Sequence, residues 1–178
     1  MNKAVLGRPL DFENREKRET RVYDLLDKLE IEYYRLDHEA TATIESCQGV
    51  DKILNVTLCK NLFLRNSQKT KFYLLLMLGN KRFVTKELSK QINSARLSFA
   101  EAEFMDKFLD IKPGSVSIMG LMNDKDKNVQ LLIDEEVLKA EYMAFHPCVN
   151  TTSLKIKTFD VINKILKEIQ CDPIIVHL

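Results

Sequence analysis

Thr57-Leu58-Cys59-Lys60-Asn61-Leu62-Phe63-Leu64-Arg65, followed after the polar loop Asn66 to Thr70 by Lys71-Phe72-Tyr73-Leu74-Leu75-Leu76-Met77-Leu78, is the stretch on which the fold turns. Two apolar runs of strand length around a short polar loop predict a β-hairpin. In the first run, alternation puts Leu58, Lys60, Leu62 and Leu64 on one face and Cys59, Asn61, Phe63 and Arg65 on the other. An ammonium and a carboxamide thus sit side by side in a strand otherwise built for burial, and an unpaired buried ammonium is destabilising by several kcal/mol. Either this is an edge strand along which Lys60 snorkels to water, or Lys60 and Asn61 reach a cleft; spacing alone supports both readings equally.

Outward from the hairpin, Val22, Leu25, Leu26 and Leu29 recur at helical spacing within Arg15 to Leu29, and Ile31 to Leu36 reads as a strand. Thr41 to Gly49 reads as a short helix closed by glycine, and Thr85 to Ile92 as another. Ser98-Phe99-Ala100-Glu101 has the spacing of a capping box opening a helix that Lys112-Pro113-Gly114 ends. Ser115 to Leu121 and Val129 to Ile133 read as a strand pair around the loop Asn123 to Asn128, with one helical turn from Asp134. Glu141 to His146 and Ser153 to Lys157 are short strands before a final helix carrying Phe159, Ile162, Ile165, Leu166 and Ile169 on one stripe. Hairpins outnumber long crossovers, so the expected class is α+β: a mixed, largely antiparallel, curved or closed sheet with helices packed on it.

The 178 residues, 45% of them hydrophobic, suffice for one domain with a continuous core, spanning 1–178. Overall charge is near zero, but its distribution is uneven. From Lys60 to Arg96 nine basic residues face one acid, whereas from Leu97 to Phe145 ten acids face five lysines. That asymmetry is compatible with a basic face for a polyanion, although charge runs are usually just solvated surfaces. Neither an 18-residue apolar window nor a charged start followed by an apolar stretch is present, so no membrane partner is expected and a cytoplasmic location is. Cys47, Cys59, Cys148 and Cys171 lie far apart, as expected of reduced thiols.

Two further segments could carry chemistry. His146 lies where a strand gives way to a loop at Pro147, and Cys148 to Thr152 follow with an amide and two hydroxyls that could hold a ligand or satisfy their own turn. Lys112-Pro113-Gly114-Ser115-Val116-Ser117 is either a plain turn or a place where backbone N–H groups meet a ligand. Cys59, His146 and Cys148 lack a fourth ligand for zinc, and neither a metal nor a cofactor is expected.

Taken in order, Lys60-Asn61-Leu62-Phe63-Leu64, Arg96-Leu97-Ser98-Phe99-Ala100, Pro113-Gly114-Ser115-Val116, Asn123-Asp124 and Phe145-His146-Pro147 with Asn150-Thr151-Thr152 resemble the motifs of free-standing prolyl-tRNA editing proteins. These are relatives of the editing insertion domain of bacterial prolyl-tRNA synthetase, and the similarity runs from about Arg21 to Ile169. The resemblance implies a YbaK-like domain that hydrolyses, in trans, the ester joining a wrong amino acid to tRNA(Pro). KNLFL together with HPxxN is similar to the alanine-specific branch; a cysteinyl-tRNA(Pro) deacylase, or a non-catalytic tRNA-binding or regulatory module, are the alternatives.

By the same resemblance the catalytic residues are Lys60, Asn61 and His146, and the substrate-binding residues are Gly114, Ser115, Val116, Ser117, Ile118, Asn150 and Thr151. The family loop commonly reads glycine, three residues, proline, where this chain has Ile118. The basic stretch, with Arg65, Lys81, Arg82 and Lys86, would grip phosphates of the tRNA(Pro) acceptor stem. Prolyl-tRNA synthetase is a further implied partner; DNA is not.

Overall fold

The computed structural model describes residues 3–40 and 49–178. Its elements, in chain order, are β1 (Val5–Leu6), α1 (Lys17–Lys28), β2 (Tyr33–Asp37), α2 (Val50–Leu54), β3 (Cys59–Asn66), β4 (Phe72–Leu78), α3 (Thr85–Gln91), β5 (Leu97–Phe99), α4 (Ala102–Phe104), β6 (Val129–Asp134), α5 (Glu135–Leu138), β7 (Tyr142–Phe145), β8 (Thr152–Lys157), α6 (Thr158–Asp160), α7 (Leu166–Glu168) and β9 (Ile174–Val176). Widened helical turns, Met105–Leu109 and Val161–Ile165, continue α4 and join α6 to α7. The predicted helix over Thr41 to Gly49 falls almost wholly on residues 41–48, outside the described residues.

The hairpin forms as its pattern requires: β3 and β4 pair antiparallel with Lys60 opposite Met77 and Leu62 opposite Leu75. Asn66 closes it, its Oδ1 accepting the N–H groups of Thr70 at 2.9 Å and Lys71 at 3.1 Å, which is the local bonding that makes Asn a turn former. Around this hairpin a five-stranded sheet is ordered β5-β3-β4-β6-β9, and a four-stranded sheet runs β1-β2-β8-β7. The pairs β4–β6 and β6–β9 are parallel and the others antiparallel, so the mixed, largely antiparallel α+β class holds. Among the described residues, a single parallel bridge, Leu58 to Ala144, links the two sheets.

Alternation along β3 survives folding and sorts the cores. Phe63 joins the main core with Leu74, Leu76, Leu131, Ile133, Met143, Leu154 and the apolar stripe of α1, and Cys59 packs against it. Leu64 belongs instead to a second cluster with Tyr73, Leu75, Leu88, Leu97 and Leu132, on which Leu62 and Phe83 pack. A third, of Leu36, Val50, Leu54 and Ala144 with Leu58 against it, continues that side onto the other sheet. Lys60 therefore emerges on the face of the two smaller clusters, and Asn61 on the face of the main core.

Three expectations are corrected. Ser98 and Glu101 form no capping box: Ser98 pairs with Arg65 inside β5, and Glu101 gives its carboxylate to the Arg65 guanidinium at 2.8 and 3.1 Å. A ladder partner and a bidentate ion pair outcompete the local cap. Ser115 to Leu121 is not a strand, since Ile118–Asn123 coils as a 3-10 helix with Ser117 Oγ accepting the Met119 N–H at 3.2 Å. There a Cβ on Gly120 would lie 2.5 Å from Ile111 Cδ1 and 3.1 Å from the Leu109 carbonyl oxygen, so any larger residue has to push its neighbours aside. β6 consequently finds its partner in β4, and β9, unrecognised in the sequence, adds the last parallel strand.

Candidate functional site

Among the described residues, the edge of β3 away from β4 pairs with the β7 strand through the Leu58 bridge alone and with β5 from Leu64 to Asn66, with Phe63 O also accepting the Ala100 N–H at 2.9 Å. Among the described residues, Cys59 to Leu62 thus border a gap between the two sheets. Lys60 and Asn61 lie on opposite faces of this stretch, unpaired on that edge.

Lys60 Nζ donates to the carbonyl oxygens of Gly79, at 3.4 Å, and Lys81, in the turn that leaves β4. Two of its three donors are so engaged, which aims the third and keeps the charge at a fixed place. No carboxylate neutralises it among the described residues, and burial lowers its pKa from the ordinary 10.5. The turn is itself tied down, because the Lys81 ammonium pairs with fully buried Asp134 at 2.8 Å and with Glu136 at 3.3 Å.

His146 lies two residues beyond Ala144, just past the end of β7, and Lys60 lies two beyond Leu58, the residue bridged to Ala144. His146 Nδ1 donates to the Thr152 carbonyl at 2.8 Å; a carbonyl can only accept, so in the neutral ring Nε2 is left as an acceptor. Burial lowers its pKa below 6.5, outweighing the bond to Thr152, and neighbouring His38 pushes the same way. Beneath it, Thr152 Oγ1 donates to Asp37 Oδ1 at 3.0 Å, and Arg15 holds the same carboxylate at 2.9 and 3.1 Å. Burial would raise Asp37, yet the bonds from Arg15 and the charge of Arg35 keep it below the usual carboxylate range.

Asn61 reaches the other way. Its Oδ1 accepts the N–H of buried Ile118 at 3.2 Å, pinning the end of the Gly114 to Ile118 loop to β3. Gly114 has φ +86°, which an L side chain rarely adopts, and Ser115 N–H closes the turn on the Lys112 carbonyl at 3.1 Å. Ile118 needs its N–H for this bond, a donor that a proline at this position would lack.

Residues 38–164 match the model of the aminoacyl-tRNA editing domain. The chain belongs to the aminoacyl-tRNA editing family. It is 32% identical over 143 residues to the prolyl-tRNA editing protein ProX of Acetoanaerobium sticklandii, covering 80% of this chain and 86% of that one. It is 25% identical over 154 residues to prolyl-tRNA synthetase associated domain-containing protein 1 of Danio rerio, covering 85% and 83%. A solved structure of a candidate trans-editing enzyme for prolyl tRNA synthetase superposes with a TM-score of 0.68 at 13% identity, covering 93% of this chain and 98% of that one, a likeness of fold. As an editing domain the chain is an aminoacyl-tRNA deacylase, a carboxylic ester hydrolase.

The described thiols are poorly suited to act as covalent nucleophiles. Burial pushes Cys59 up to about 11 and Cys148 up to about 12, so both stay protonated at neutral pH. Among the described residues no three His, Cys, Asp or Glu side chains are grouped to hold a metal ion, and no helix is long and apolar enough to cross a membrane.

The other sequence-predicted site residues fall into distinct places. Asn150 and Thr151 occupy the turn between His146 and β8, where the Thr151 carbonyl accepts the His38 N–H at 2.9 Å. Arg65 lies at the far end of β3, tied to Glu101, and Lys81 is tied to Asp134. Arg82 and Lys86 are exposed and take no ion-pair partner among the described residues. Sequence reasoning missed His38, whose ring centroid lies 5.9 Å from that of His146 and whose Nε2 lies 2.9 Å from Ser153 Oγ. Its signal was only that a chain with three histidines has one at the end of a strand, just after Asp37.

Proposed function

We infer that this deacylase hydrolyses mischarged Ala-tRNA(Pro) in trans, releasing alanine and free tRNA(Pro). The observation that carries the reading is the Lys60 ammonium, held by two carbonyls and without a carboxylate partner among the described residues, two residues from the Leu58 to Ala144 bridge that links its strand to the one leading to His146. The prolyl-tRNA names of the relatives support the tRNA. KNLFL with HPxxN in one chain supports alanine.

The ester of an aminoacyl-tRNA is already activated, so water can attack its carbonyl once charge is provided where it develops. Lys60 supplies that charge at the carbonyl oxygen or the terminal ribose. Neutral His146 Nε2 accepts a hydrogen bond from the attacking water or the ribose hydroxyl and so orients it. The Gly114 to Ile118 loop, held by Asn61, presents backbone N–H groups to the 3′-terminal adenosine. A synthetase pocket built for proline rejects alanine by only about 1–3 kcal/mol per missing methylene, so a second pocket that proline cannot enter removes the error.

Lys60→Met tests this with two readouts. The variant gives up two hydrogen bonds to turn carbonyls but also a partly desolvated charge, so it folds with a melting temperature close to the wild type. Deacylation of Ala-tRNA(Pro), by contrast, falls by about 10²–10³-fold or more, as when an oxyanion donor is removed. A folded Lys60→Met protein with wild-type turnover contradicts the reading.

A further inference from the structure

Phe99 is the most exposed aromatic ring near the gap, with 59% of the residue accessible. It pairs with Leu64 across β5 and β3, and directly paired residues point to the same side, so Phe99 shares the face of Lys60, Leu62 and Leu64. Leu97, two residues earlier on that face, is buried against Leu88 of α3 in the second cluster, while Phe99 emerges beyond it. Phe83 leans on the same cluster and meets Phe99 edge to face at 6.3 Å between centroids. Phe83 also follows by two residues Lys81, whose carbonyl holds the Lys60 ammonium. One continuous face therefore runs from the aimed charge of Lys60 past Phe83 to the open ring of Phe99.

The length and charge of this face suit a short unpaired strand. From Lys60 to Leu64, and so to Phe99 beside it, four residues rise about 13 Å at roughly 3.3 Å each, a span that two nucleotides bridge. Arg82, beside Phe83, and Lys86, on the first turn of α3, are exposed and have no ion-pair partner among the described residues, whereas Arg65 and Lys69 at the far end of β3 share Glu101. Aromatic rings for base faces, next to cations for phosphates, are how proteins hold single-stranded nucleic acid without reading its sequence.

We propose that Phe83 and Phe99 form a stacking platform for the unpaired bases at the 3′ end of the tRNA, just before the aminoacylated adenosine, with Arg82 and Lys86 on the intervening phosphates. The platform rests on the deacylase reading of the same face. It assigns Phe99 a base and leaves the ester to Lys60.

Fluorescence anisotropy with an acceptor-stem RNA hairpin carrying its unpaired 3′ end, beside the same hairpin cut back to the last base pair, tests it. The wild type binds the full hairpin more tightly than the blunt one. Phe99→Ala and Phe99→Leu lose roughly 5- to 150-fold in affinity for the full hairpin, the range of one base–aromatic stack, and bind the blunt one as before. Phe99→Tyr keeps the preference, because it keeps the ring. Phe99→Leu preserves apolar bulk, and a thermal melt confirms that each variant is folded. Wild-type affinity of Phe99→Leu for the full hairpin overturns the platform, as does a change in sedimentation without a change in RNA affinity, which assigns Phe99 to a second copy of the chain. If the wild type hydrolyses Ala-tRNA(Pro) while Phe99→Leu binds normally, the platform fails and the activity stands. If Phe99 governs binding but no aminoacyl ester is cleaved, the activity fails and the platform stands.

Discussion

Asn61→Ala separates an amide that acts on substrate from one that holds a loop. The Asn61 Oδ1 accepts the Ile118 N–H at 3.2 Å, and Ile118 is 1% exposed, so the truncation leaves a buried backbone donor unpaired. Such a group is destabilising by about 1–3 kcal/mol. Unfolding entropy of roughly 2.1 cal/mol/K per residue gives about 0.37 kcal/mol/K for this chain of 178 residues, so the melting temperature falls by about 3–8 °C. A loop released by 1 Å also lowers deacylation by up to roughly 10²-fold. Asn61→Asp keeps an acceptor for Ile118 and retains most of the stability and activity. Differential scanning calorimetry and single-turnover deacylation measure both quantities. Asn61→Ala with wild-type melting and turnover refutes the anchoring argument. Asn61→Asp that melts normally but is as inactive as Asn61→Ala shows that the amide N–H groups, not the loop, matter.

Acidity acts through His146. Its folded pKa lies below 6.5, so the unfolded chain takes up the proton first; the stability it contributes is complete above pH 6.5 and is lost as pH falls from there through the folded value. Deacylation falls over the same acidic window as Nε2 is protonated, and a pH–rate profile whose acid limb has its midpoint above 6.5 contradicts the assignment. At the alkaline end, activity declines below the ordinary lysine value of 10.5 because burial lowers Lys60, and Lys60→Met removes that limb. Neutralising Arg82 and Lys86 together lowers the slope of log affinity for tRNA against log salt by roughly 1.4, about 0.7 for each single-strand phosphate that is no longer neutralised. Arg65→Gln changes the slope less, since Glu101 already holds that guanidinium; equal effects show that the ion pair opens on binding.

Much of the fold was legible because period-2 alternation in β3 survives in the structure: Phe63 and Leu64 enter different cores, as their positions demand. The errors arose where a distant partner overrode a local signal. Ser98 and Glu101 carry the letters of a helix cap, yet Arg65, more than thirty residues away in sequence, claims both, the one by strand pairing and the other by ion pair. Ser115 to Leu121 has the composition of a strand, but Ser117 caps a tight turn and Gly120 abuts Ile111. Of the candidate site residues, Lys60 stood out in the sequence as a charge inside an apolar strand and His146 as a polar residue where a strand gives way to a loop, whereas what holds them did not. The Gly79 and Lys81 carbonyls, the Asp134 pair behind them and the Thr152, Asp37 and Arg15 chain behind His146 are interactions across the fold with no local pattern. Lys81 shows the consequence: a residue read as a phosphate grip is bonded by both its ammonium and its carbonyl within the protein.

Whether this fold removes alanine from tRNA(Pro) is decided by initial rates of deacylation by the wild-type chain, measured side by side on Ala-tRNA(Pro), Cys-tRNA(Pro) and Pro-tRNA(Pro). Rapid loss of the alanyl ester with retention of the prolyl ester is the expected result. Preferential cleavage of the cysteinyl ester, or cleavage of the prolyl ester at a comparable rate, contradicts it.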